Sequence, residues 1–334
     1  MIDLERDIDA IAAESRFSGA VRIDRGGELV LDRAYGLARR DTERSNTPET
    51  QFATASGLKG MTALAVMCLV EDGVLSLDTT ARSLLDDDLP LIADDVTVEH
   101  LLAHRSGIGD YLDEDDDEHE TTGYVMPVPV HTLVGPEDYV PILDGHPTKF
   151  AAGSNFAYCN GGFVVLALIA ERAGGVPYHD LVQQRVCEPA GLEGTAFLRS
   201  DELPERAAHG HLFAEGPRTN VLHLPVRGTG DGGIYTTVRD MRTFWTALCD
   251  GKIVPQERVA AMAAPRSDVN ERWQYGLGLW IVAGTSTVAL VGYDAGVSFR
   301  SVHHPETDTT CTVVSNWTDG AWPLSDVLTD RLFR

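Results

Sequence analysis

Residues 52–78 read FATASGLKGMTALAVMCLVEDGVLSLD and combine a serine, a lysine and a long apolar run. The run over residues 58–73 ends at a glycine, which predicts a helix with an ordinary C-terminus. Ser56 lies at the start of this helix and Lys59 one turn later, so both side chains point to one face. A desolvated lysine with a lowered pKa can take the proton of a serine hydroxyl and activate it. The segment predicts a nucleophile, with a solvent-exposed Lys59 as the alternative.

A second candidate segment is PTKFAAGSNFAYCNGGFVVLALIAE, residues 147–171. Tyr158 and Asn160 lie where a loop joins another apolar helix, predicted for residues 160–175. At such a junction a phenol and an amide two residues apart can enter one cleft. The phenol would act as base or proton shuttle and the amide as a substrate ligand. A turn with a packed tyrosine ring is the alternative.

The two ends of the chain show a different pattern. Residues 19–36, GAVRIDRGGELVLDRAYG, alternate apolar and polar residues around two glycines, which predicts a β-hairpin. Residues 285–317 predict three further short strands joined by tight connections. These strands indicate one antiparallel five-stranded sheet built from both termini, with a mostly helical region between them. The predicted fold class is therefore α+β.

The helical candidates also suggest a division of the chain. Further helices are predicted over residues 96–107, 176–191 and 237–251, each ending at or near a glycine. The predicted organisation is a sheet domain of residues 1–75 and 205–334, a helical domain of residues 76–204, and an active site at their interface. The acidic run DEDDDEHE, residues 113–120, is interpreted as a solvated loop, with an acidic rim beside a site as the alternative.

Composition limits the possible functions. The chain has 334 residues, 43% of them hydrophobic, and a net charge of -24 from 51 acidic and 27 basic residues. A chain of this length can bury a large core, and the sequence has no uncharged apolar stretch of about 18 residues that would span a membrane. The negative charge disfavours nucleic acid and anionic membrane partners. Without a signal-peptide pattern or paired cysteines, we expect a cytoplasmic location.

No metal or cofactor site is predicted. The sequence offers two close histidine pairs, but neither has the helical i, i+4 spacing with a nearby carboxylate that zinc hydrolases use. These pairs are His209 with His211 and His303 with His304. No GxSxG motif is present, which excludes the common α/β-hydrolase arrangement. His104 is interpreted as a packing residue at a helix end rather than as a catalytic base.

These segments together resemble the penicillin-recognising serine hydrolases, which include class C β-lactamases, D-alanyl-D-alanine peptidases, D-aminopeptidases and related esterases. Residues 52–78 look like the family's nucleophile helix, and residues 147–171 look like the approach to its Tyr-X-Asn motif. Three further segments are similar to the family: VTVEHLLAHRSGIGDY (96–111), GDGGIYTTVRDMRTFW (230–245) and YGLGLWI (275–281). The resemblance covers roughly residues 10–316. It implies a β-lactamase-like fold with helices flanking the sheet.

The resemblance also implies a role for each candidate residue. Ser56 would be the acylated nucleophile, Lys59 would keep the proton network poised, and Tyr158 would act as general base and later as acid. Asn160 would bind a substrate carbonyl or orient Lys59. The backbone N–H of Ser56 would form half of an oxyanion hole, and an edge strand would supply the other half.

The edge strand is where this chain departs from the family pattern. Where the family has Lys or His, a variable residue and Gly, this chain has Tyr293, Asp294 and Ala295, followed by Gly296. The missing cation, beside Asp294, should weaken binding of anionic substrates such as penicillins. Arg300 could replace the charge only if the strand turns back. Tyr293 and Asp294 are predicted to line the substrate site, and Gly296 to supply the second oxyanion N–H.

Three functions are consistent with the sequence. The first is a serine hydrolase that acts through an acyl-enzyme on a neutral ester or amide. The second is a β-lactamase or D-amino-acid peptidase, and the third is a catalytically silent binding or regulatory protein. The intact set of Ser56, Lys59, Tyr158 and Asn160 argues against the third. The expected partner is a small-molecule ester, amide or peptide, and the oligomeric state is not predicted.

Overall fold

The structure, a computed structural model, describes residues 2–114 and 120–333. Most of the acidic run at residues 113–120 therefore lies outside the described residues, and its interpretation stays a prediction. The strands are β1 (Gly19–Arg25), β2 (Glu28–Tyr35), β3 (Leu37–Arg39), β4 (Arg44–Ser45), β5 (Phe52–Ala53), β6 (Tyr235–Thr236), β7 (Ser267–Asp268), β8 (Trp273–Tyr275), β9 (Trp280–Val282), β10 (Val288–Asp294), β11 (Val297–His304) and β12 (Thr309–Ser315).

The α-helices lie at both ends of the chain and through its middle. They are α1 (Ile2–Glu14), α2 (Lys59–Glu71), α3 (Arg82–Leu85), α4 (Val98–Leu102), α5 (Val140–Leu143), α6 (Asn160–Gly174), α7 (Tyr178–Val182), α8 (Glu188–Ala190), α9 (Val238–Cys249), α10 (Gln256–Met262) and α11 (Trp322–Phe333). A π-helical turn, Gln183–Cys187, joins α7 to α8, and a 3-10 turn, Ala55–Leu58, leads into α2.

The main sheet joins the two ends of the chain. Its strand order is β2-β1-β12-β11-β10-β9-β8-β7, and every pair in it is antiparallel. Strand β1 pairs with its hairpin partner β2 and with β12, so that Gly19 lies opposite Ser315. The predicted α+β class, with one antiparallel sheet from both termini, is confirmed. The predicted number of five strands is wrong because β7, β8 and β9 add three strands too short to show alternation.

Helices cover both faces of this sheet. Helices α1 and α11 pack on one face through a core that includes Ile8, Leu324 and Leu328. Helix α9 packs against β1 and β12 on the other face. Because it is covered on both sides, β12 is buried along its whole length. Its run of small and apolar residues fits that position.

The second core surrounds α2. Every residue from Lys59 to Leu69 is buried, as expected for a helix that is apolar on all sides. Helix α2 packs against α6, and the turn before α2 contacts β10. The helices predicted over residues 58–73, 160–175 and 237–251 are confirmed as α2, α6 and α9. The helix predicted at residues 96–107 is shorter because the backbone leaves the helical region at His104, whose φ is +54°.

Candidate active site

The predicted nucleophile sits in a tight turn between β5 and α2. Ala55, just before Ser56, has a φ of +45°, in the left-handed region that non-glycine residues rarely adopt. Strand β10 passes directly beside this turn. A Cβ atom at Gly292 would lie 1.9 Å from the carbonyl oxygen of Thr54, so only glycine allows the strand to approach so closely. The turn therefore holds Ser56 against strand β10 of the main sheet.

Lys59 lies beneath the serine with all three of its N–H donors engaged. Its Nζ donates at 2.8 Å to Ser56 Oγ, to Asn160 Oδ1 and to the backbone oxygen of Asp231. The side chain is buried, which excludes the alternative of a solvent-exposed lysine. Burial lowers the pKa of Lys59 because it disfavours the ammonium, while the Asp231 charge acts in the opposite direction. The arrangement poises an amine against the serine hydroxyl.

Tyr158 reaches the same serine from the other side. The Ser56 hydroxyl acts on its phenol and opposes the rise of the phenol's pKa, and Lys59 Nζ lies 4.8 Å from the centre of its ring. The rings of His104 and Trp280 pack beside it, at centroid distances of 4.3 and 6.1 Å. Burial raises the pKa of Tyr158 well above the ordinary value for a phenol. Tyr158 is therefore held as a protonated phenol, able to donate a proton.

Asn160 completes the group around the lysine. Its Oδ1 accepts the hydrogen bond from Lys59, and its Nδ2 donates to the backbone oxygen of Leu112 at 3.1 Å and to Glu114 Oε1 at 2.9 Å. These contacts fix which way the amide points, since its nitrogen faces two acceptors. The structure therefore brings Ser56, Lys59, Tyr158 and Asn160 together in one cluster, which we call the catalytic cluster.

Two buried residues after α4 hold the segment that carries Tyr158 and Asn160. The Asp110 carboxylate accepts the N–H groups of Asn160 at 2.6 Å and Gly161 at 2.8 Å, at the N-terminus of α6. Burial outweighs these hydrogen bonds and raises the pKa of Asp110 to about 6. His104 Nδ1 accepts the N–H of Cys159 at 3.0 Å. Burial holds the pKa of His104 well below its ordinary value, so the predicted packing residue is a neutral imidazole.

Asp231 was not singled out by sequence reasoning. Besides its backbone contact with Lys59, its carboxylate accepts the Tyr111 hydroxyl at 2.5 Å and the Thr229 hydroxyl at 3.3 Å. It is 8% exposed, and burial raises its pKa. The only signal in the sequence was an acidic residue among glycines in the segment GDGGIYTT. Tyr111, at the end of the resembling segment 96–111, had no assigned role either.

The turn between β10 and β11 contains the glycine predicted for the oxyanion hole. The register pairs Asp294 with Val297, so Ala295 and Gly296 form a two-residue turn. The Gly296 N–H donates to Thr318 Oγ1 at 2.9 Å in a buried contact. This N–H therefore already has an acceptor, Thr318, and the assignment of Gly296 to the oxyanion hole stays a prediction.

The other predicted residues of this strand border the site without supplying a cation. Tyr293 is 41% exposed, and its hydroxyl donates to Asp319 Oδ1 at 3.0 Å. Asp294 Oδ1 accepts the N–H of Ala295 at 2.8 Å, and burial raises the pKa of Asp294 to about 7. Arg300 does not replace the missing cation because its Nη1 donates to Asp326 Oδ1 at 2.5 Å.

Two cavities meet at Ser56. The more enclosed one, of about 270 Å³, includes Asn160, Asp231 and Asp294 in its wall. The more open one, of about 400 Å³, includes Tyr158 and Trp280. None of the described residues lining either cavity is a lysine or arginine. In the described part of the chain, no cluster of three His, Cys, Asp or Glu residues is arranged to hold a metal ion.

The antiparallel sheet, its flanking helices and a serine held between a lysine and a tyrosine define a β-lactamase-like protein. The chain belongs to the Beta-lactamase family, whose model matches residues 4–330. The resemblance to the penicillin-recognising group is thereby confirmed. No helix in the described residues combines the length and apolar character needed to cross a bilayer. The cytoplasmic location and the domain boundaries stay predictions.

Proteins with several different names are similar in sequence to this chain. The chain is 28% identical to a putative penicillin-binding protein, PbpX, of Bacillus subtilis, over 85% of this chain and 67% of that protein. It is 34% identical to esterase EstB of Burkholderia gladioli, over 61% of this chain and 53% of that protein. Its identity to a D-aminopeptidase of Brucella ovis is 28%, over 67% of this chain and 41% of that protein. The match covers between 41% and 67% of the length of these three relatives.

Solved structures support the same fold. A penicillin-binding protein from Bacillus halodurans superposes with a TM-score of 0.88 at 32% identity, covering 97% of this chain and 99% of that one. A D-amino acid amidase from Ochrobactrum anthropi gives a TM-score of 0.79 at 23% identity, covering 98% of each chain. At that lower identity the likeness concerns the fold alone.

Proposed function

We propose that this protein is a serine hydrolase that cleaves a neutral ester or amide through an acyl-enzyme on Ser56. The observation that carries the proposal is the pair of hydrogen bonds that buried Lys59 makes to Ser56 and Asn160, with Tyr158 lining the same cavity as Ser56. A serine hydroxyl becomes an effective nucleophile only beside a group that takes its proton, and two such groups contact it here.

The directions of the pKa shifts suggest an order for the proton transfers. Burial favours the neutral forms of both Lys59 and Tyr158, that is, an amine and a phenol. In its amine form Lys59 keeps two N–H donors, for Asn160 and the Asp231 backbone oxygen, and its lone pair faces Ser56 Oγ at 2.8 Å. This amine would accept the Ser56 proton as Oγ attacks the carbonyl carbon. As the tetrahedral intermediate collapses, the Tyr158 phenol would give its proton to the departing oxygen or nitrogen. This assigns the first base to Lys59, rather than to Tyr158 as the resemblance implies.

The second half of the reaction would restore both groups. The Tyr158 phenolate takes a proton from water, which attacks the acyl carbon. Ser56 leaves the acyl group and regains its proton from the Lys59 ammonium. The product acid departs, and the amine and phenol return to their starting states. The Ser56 N–H, in the first turn of a helical segment where N–H groups lack intrahelical acceptors, would stabilise the oxyanion.

The charge around the cavities supports a neutral substrate over an anionic one. Glu114, Asp231 and Asp294 line the enclosed cavity, and no lysine or arginine is among its described lining residues. An anionic substrate would meet these carboxylates at short range in a poorly solvated site, where charge interactions are strong. This opposes the β-lactamase alternative, whose substrates carry a carboxylate.

The same carboxylates favour one second candidate, an amidase or peptidase for substrates with a free amino group. Asp294 borders the cavity with no basic partner among the described lining residues, and Glu114 lies at the junction of both cavities. An ammonium group on the acyl side would be attracted to them. The relative named D-aminopeptidase is in keeping with this second candidate.

Hydrolysis of p-nitrophenyl butyrate by the wild-type protein and by Ser56→Ala tests the proposal. The wild type should release p-nitrophenol in a burst equal to the enzyme present, and mass spectrometry should find butyryl on the peptide containing Ser56. The variant should lose both signals. Equal activity in the two proteins would overturn the assignment of Ser56. Inactivity of the wild type toward esters and amino-acid amides alike would favour the silent binding protein.

A further inference from the structure

We infer that the two cavities divide the substrate: the enclosed cavity binds an apolar acyl group, and the open groove receives the leaving group. We call them the acyl cavity and the leaving-group groove. The inference rests on the proposed function, because it assumes that Ser56 is acylated. It assigns a substrate class: esters or amides of an apolar carboxylic acid, with few limits on the alcohol or amine.

The position of Tyr158 indicates which part of the substrate enters each cavity. Ser56 borders both cavities, whereas Tyr158 lines only the groove and Asn160 lines only the acyl cavity. The bond that breaks joins the carbonyl carbon to the leaving oxygen or nitrogen, and that atom must reach the Tyr158 hydroxyl to take its proton. The leaving atom therefore faces the groove. The remaining substituent of the carbonyl carbon, the acyl chain, is then directed into the other cavity.

The wall of the acyl cavity is mainly apolar apart from its carboxylates and amides, although it contains several tyrosines. The Tyr111 hydroxyl donates to Asp231, and the Tyr124 hydroxyl donates to the backbone oxygen of Tyr111 at 3.0 Å. With these hydroxyls engaged, the rings expose their carbon faces. The aliphatic part of the wall includes Met126, Leu198, Leu224 and Val226.

The acyl cavity is also limited in size and charge. Its volume of about 270 Å³ suits a compact apolar group, such as a short aliphatic chain or an arylacetyl group. The carboxylates of Asp231 and Asp294 in its wall disfavour an acyl chain that ends in a second carboxylate. Selection by the acyl group should therefore be strong.

The leaving-group groove has a different character. It is wider and more open, at about 400 Å³, and its wall includes Phe156, Val269, Trp280 and Val291. An open groove tolerates leaving groups of different shapes, and it admits the water that attacks the acyl-enzyme. The alcohol or amine leaves with the proton from Tyr158, and the water then approaches by the same route. Selection by the leaving group should therefore be weak.

Two series of substrates and a matched pair of variants test this division. One series varies the acyl chain of p-nitrophenyl esters from acetyl to decanoyl, and the other varies the phenol of butyrate esters. Leu224→Trp narrows the acyl cavity and Val291→Trp narrows the groove; both side chains are half-buried and each lines only one cavity. The wild type should show an optimum chain length, with kcat/KM falling about tenfold or more beyond it.

The two variants should respond in opposite ways. Leu224→Trp should move the optimum to a shorter acyl chain and leave the order of leaving groups unchanged. Val291→Trp should change the order of leaving groups of different bulk and keep the acyl optimum. If the tryptophan variants fail to fold, as judged by circular dichroism, Leu224→Ala and Val291→Ala replace them. In that pair Leu224→Ala should extend the optimum to a longer chain.

If kcat/KM does not depend on the length of the acyl chain, while Ser56→Ala still loses the burst, the division of the substrate between the two cavities is wrong. The proposed function would then still stand. If Leu224→Trp instead changes only the order of leaving groups, and Val291→Trp changes only the acyl optimum, the assignment of the two cavities is the wrong way round. Absence of ester or amide hydrolysis in the wild type would remove the proposed function and the division with it.

Discussion

The catalytic cluster and the β10–β11 turn both border the cavities at Ser56 but are built differently. In the cluster, Lys59 is buried and each of its donors has an acceptor at 2.8 Å. At the turn, Tyr293 is partly exposed, and the N–H groups of Ala295 and Gly296 are taken by Asp294 and Thr318. The catalytic cluster, which we call the chemical side of the site, thus has its hydrogen bonds around the nucleophile already formed. The β10–β11 turn, which we call the recognition side, lacks the family's cation.

Among these variants, Lys59→Met should cause the largest loss of catalytic activity. Methionine fills a similar apolar space but removes the proton acceptor and three hydrogen bonds, so kcat/KM for p-nitrophenyl butyrate should fall at least about a thousandfold. Lys252→Met is the matched control because Lys252 is exposed, forms its ion pair with Asp250 and lines neither cavity at Ser56. It should keep full activity. A Lys59→Met enzyme with more than a tenth of wild-type activity would show that another group activates the serine.

Tyr158→Phe should have the next largest effect, and the effect should depend on the leaving group. Loss of the phenol removes the proton donor, so kcat for an alkyl ester or an amide should fall about a hundredfold. For p-nitrophenyl esters, whose leaving group needs no protonation, the fall should be several times smaller. Tyr178→Phe, which loses a hydroxyl that pairs with Thr62 at 2.7 Å, is the control and should show no such dependence. A uniform loss across leaving groups would assign Tyr158 to positioning instead.

The same comparison shows why parts of the site could be predicted from the sequence. Ser56 and Lys59 are one helical turn apart and Tyr158 and Asn160 two residues apart, so local geometry already places each pair together. That the two pairs meet depends on α2 packing against α6. No local pattern contains this contact, and only the order of resembling segments indicated it.

The features that sequence reasoning missed depend on contacts distant in the chain. Asp231 contacts Lys59 across 172 positions, and Thr318 takes the Gly296 N–H across 22. The strands β7, β8 and β9 contain two or three residues each, too few for period-two alternation to appear. The long hairpins at the two ends of the chain could therefore be predicted from the sequence. The three short strands β7, β8 and β9, which form one edge of the sheet, could not.

Asp294→Asn tests the recognition side with a smaller expected effect. The substrates are the p-nitrophenyl esters of trimethylglycine and of its neutral isostere, 3,3-dimethylbutyric acid, each corrected for spontaneous hydrolysis. The ratio of kcat/KM for the cationic ester to that for the neutral ester should be about tenfold lower in the variant than in the wild type, because the variant lacks the carboxylate charge that attracts the cation. Asp319→Asn, which removes the exposed carboxylate bound to Tyr293, should keep the preference.

The pH dependence of that preference has a definite sign. The pKa of Asp294 is raised to about 7, chiefly by burial, so its carboxylate is charged above that pH and neutral below it. The trimethylammonium group is charged at every pH. Preference for the cationic ester should therefore rise as the pH passes upward through about 7 in the wild type and stay flat in Asp294→Asn. A preference that falls with rising pH would contradict this role.

Thr318→Val should have the smallest effect on catalysis and separates a structural from a chemical role for Gly296. The Thr318 hydroxyl accepts the Gly296 N–H and donates to the backbone oxygen of Leu212 at 2.7 Å, in a buried position. Valine leaves both groups unsatisfied, so the free energy of unfolding should fall by about 1–3 kcal/mol for each. Thr318→Ser keeps the hydroxyl and should recover most of the loss in a urea titration.

Catalysis is the discriminating readout for Thr318→Val. If Gly296 only closes the turn, kcat should stay within about twofold of wild type while stability falls, because no donor to the oxyanion is lost. If the Gly296 N–H instead turns to the substrate during the reaction, removing its resting acceptor should raise kcat, since the donor no longer has to leave Thr318. A higher kcat in the valine variant would therefore assign Gly296 to the oxyanion hole and show that the turn rearranges on binding.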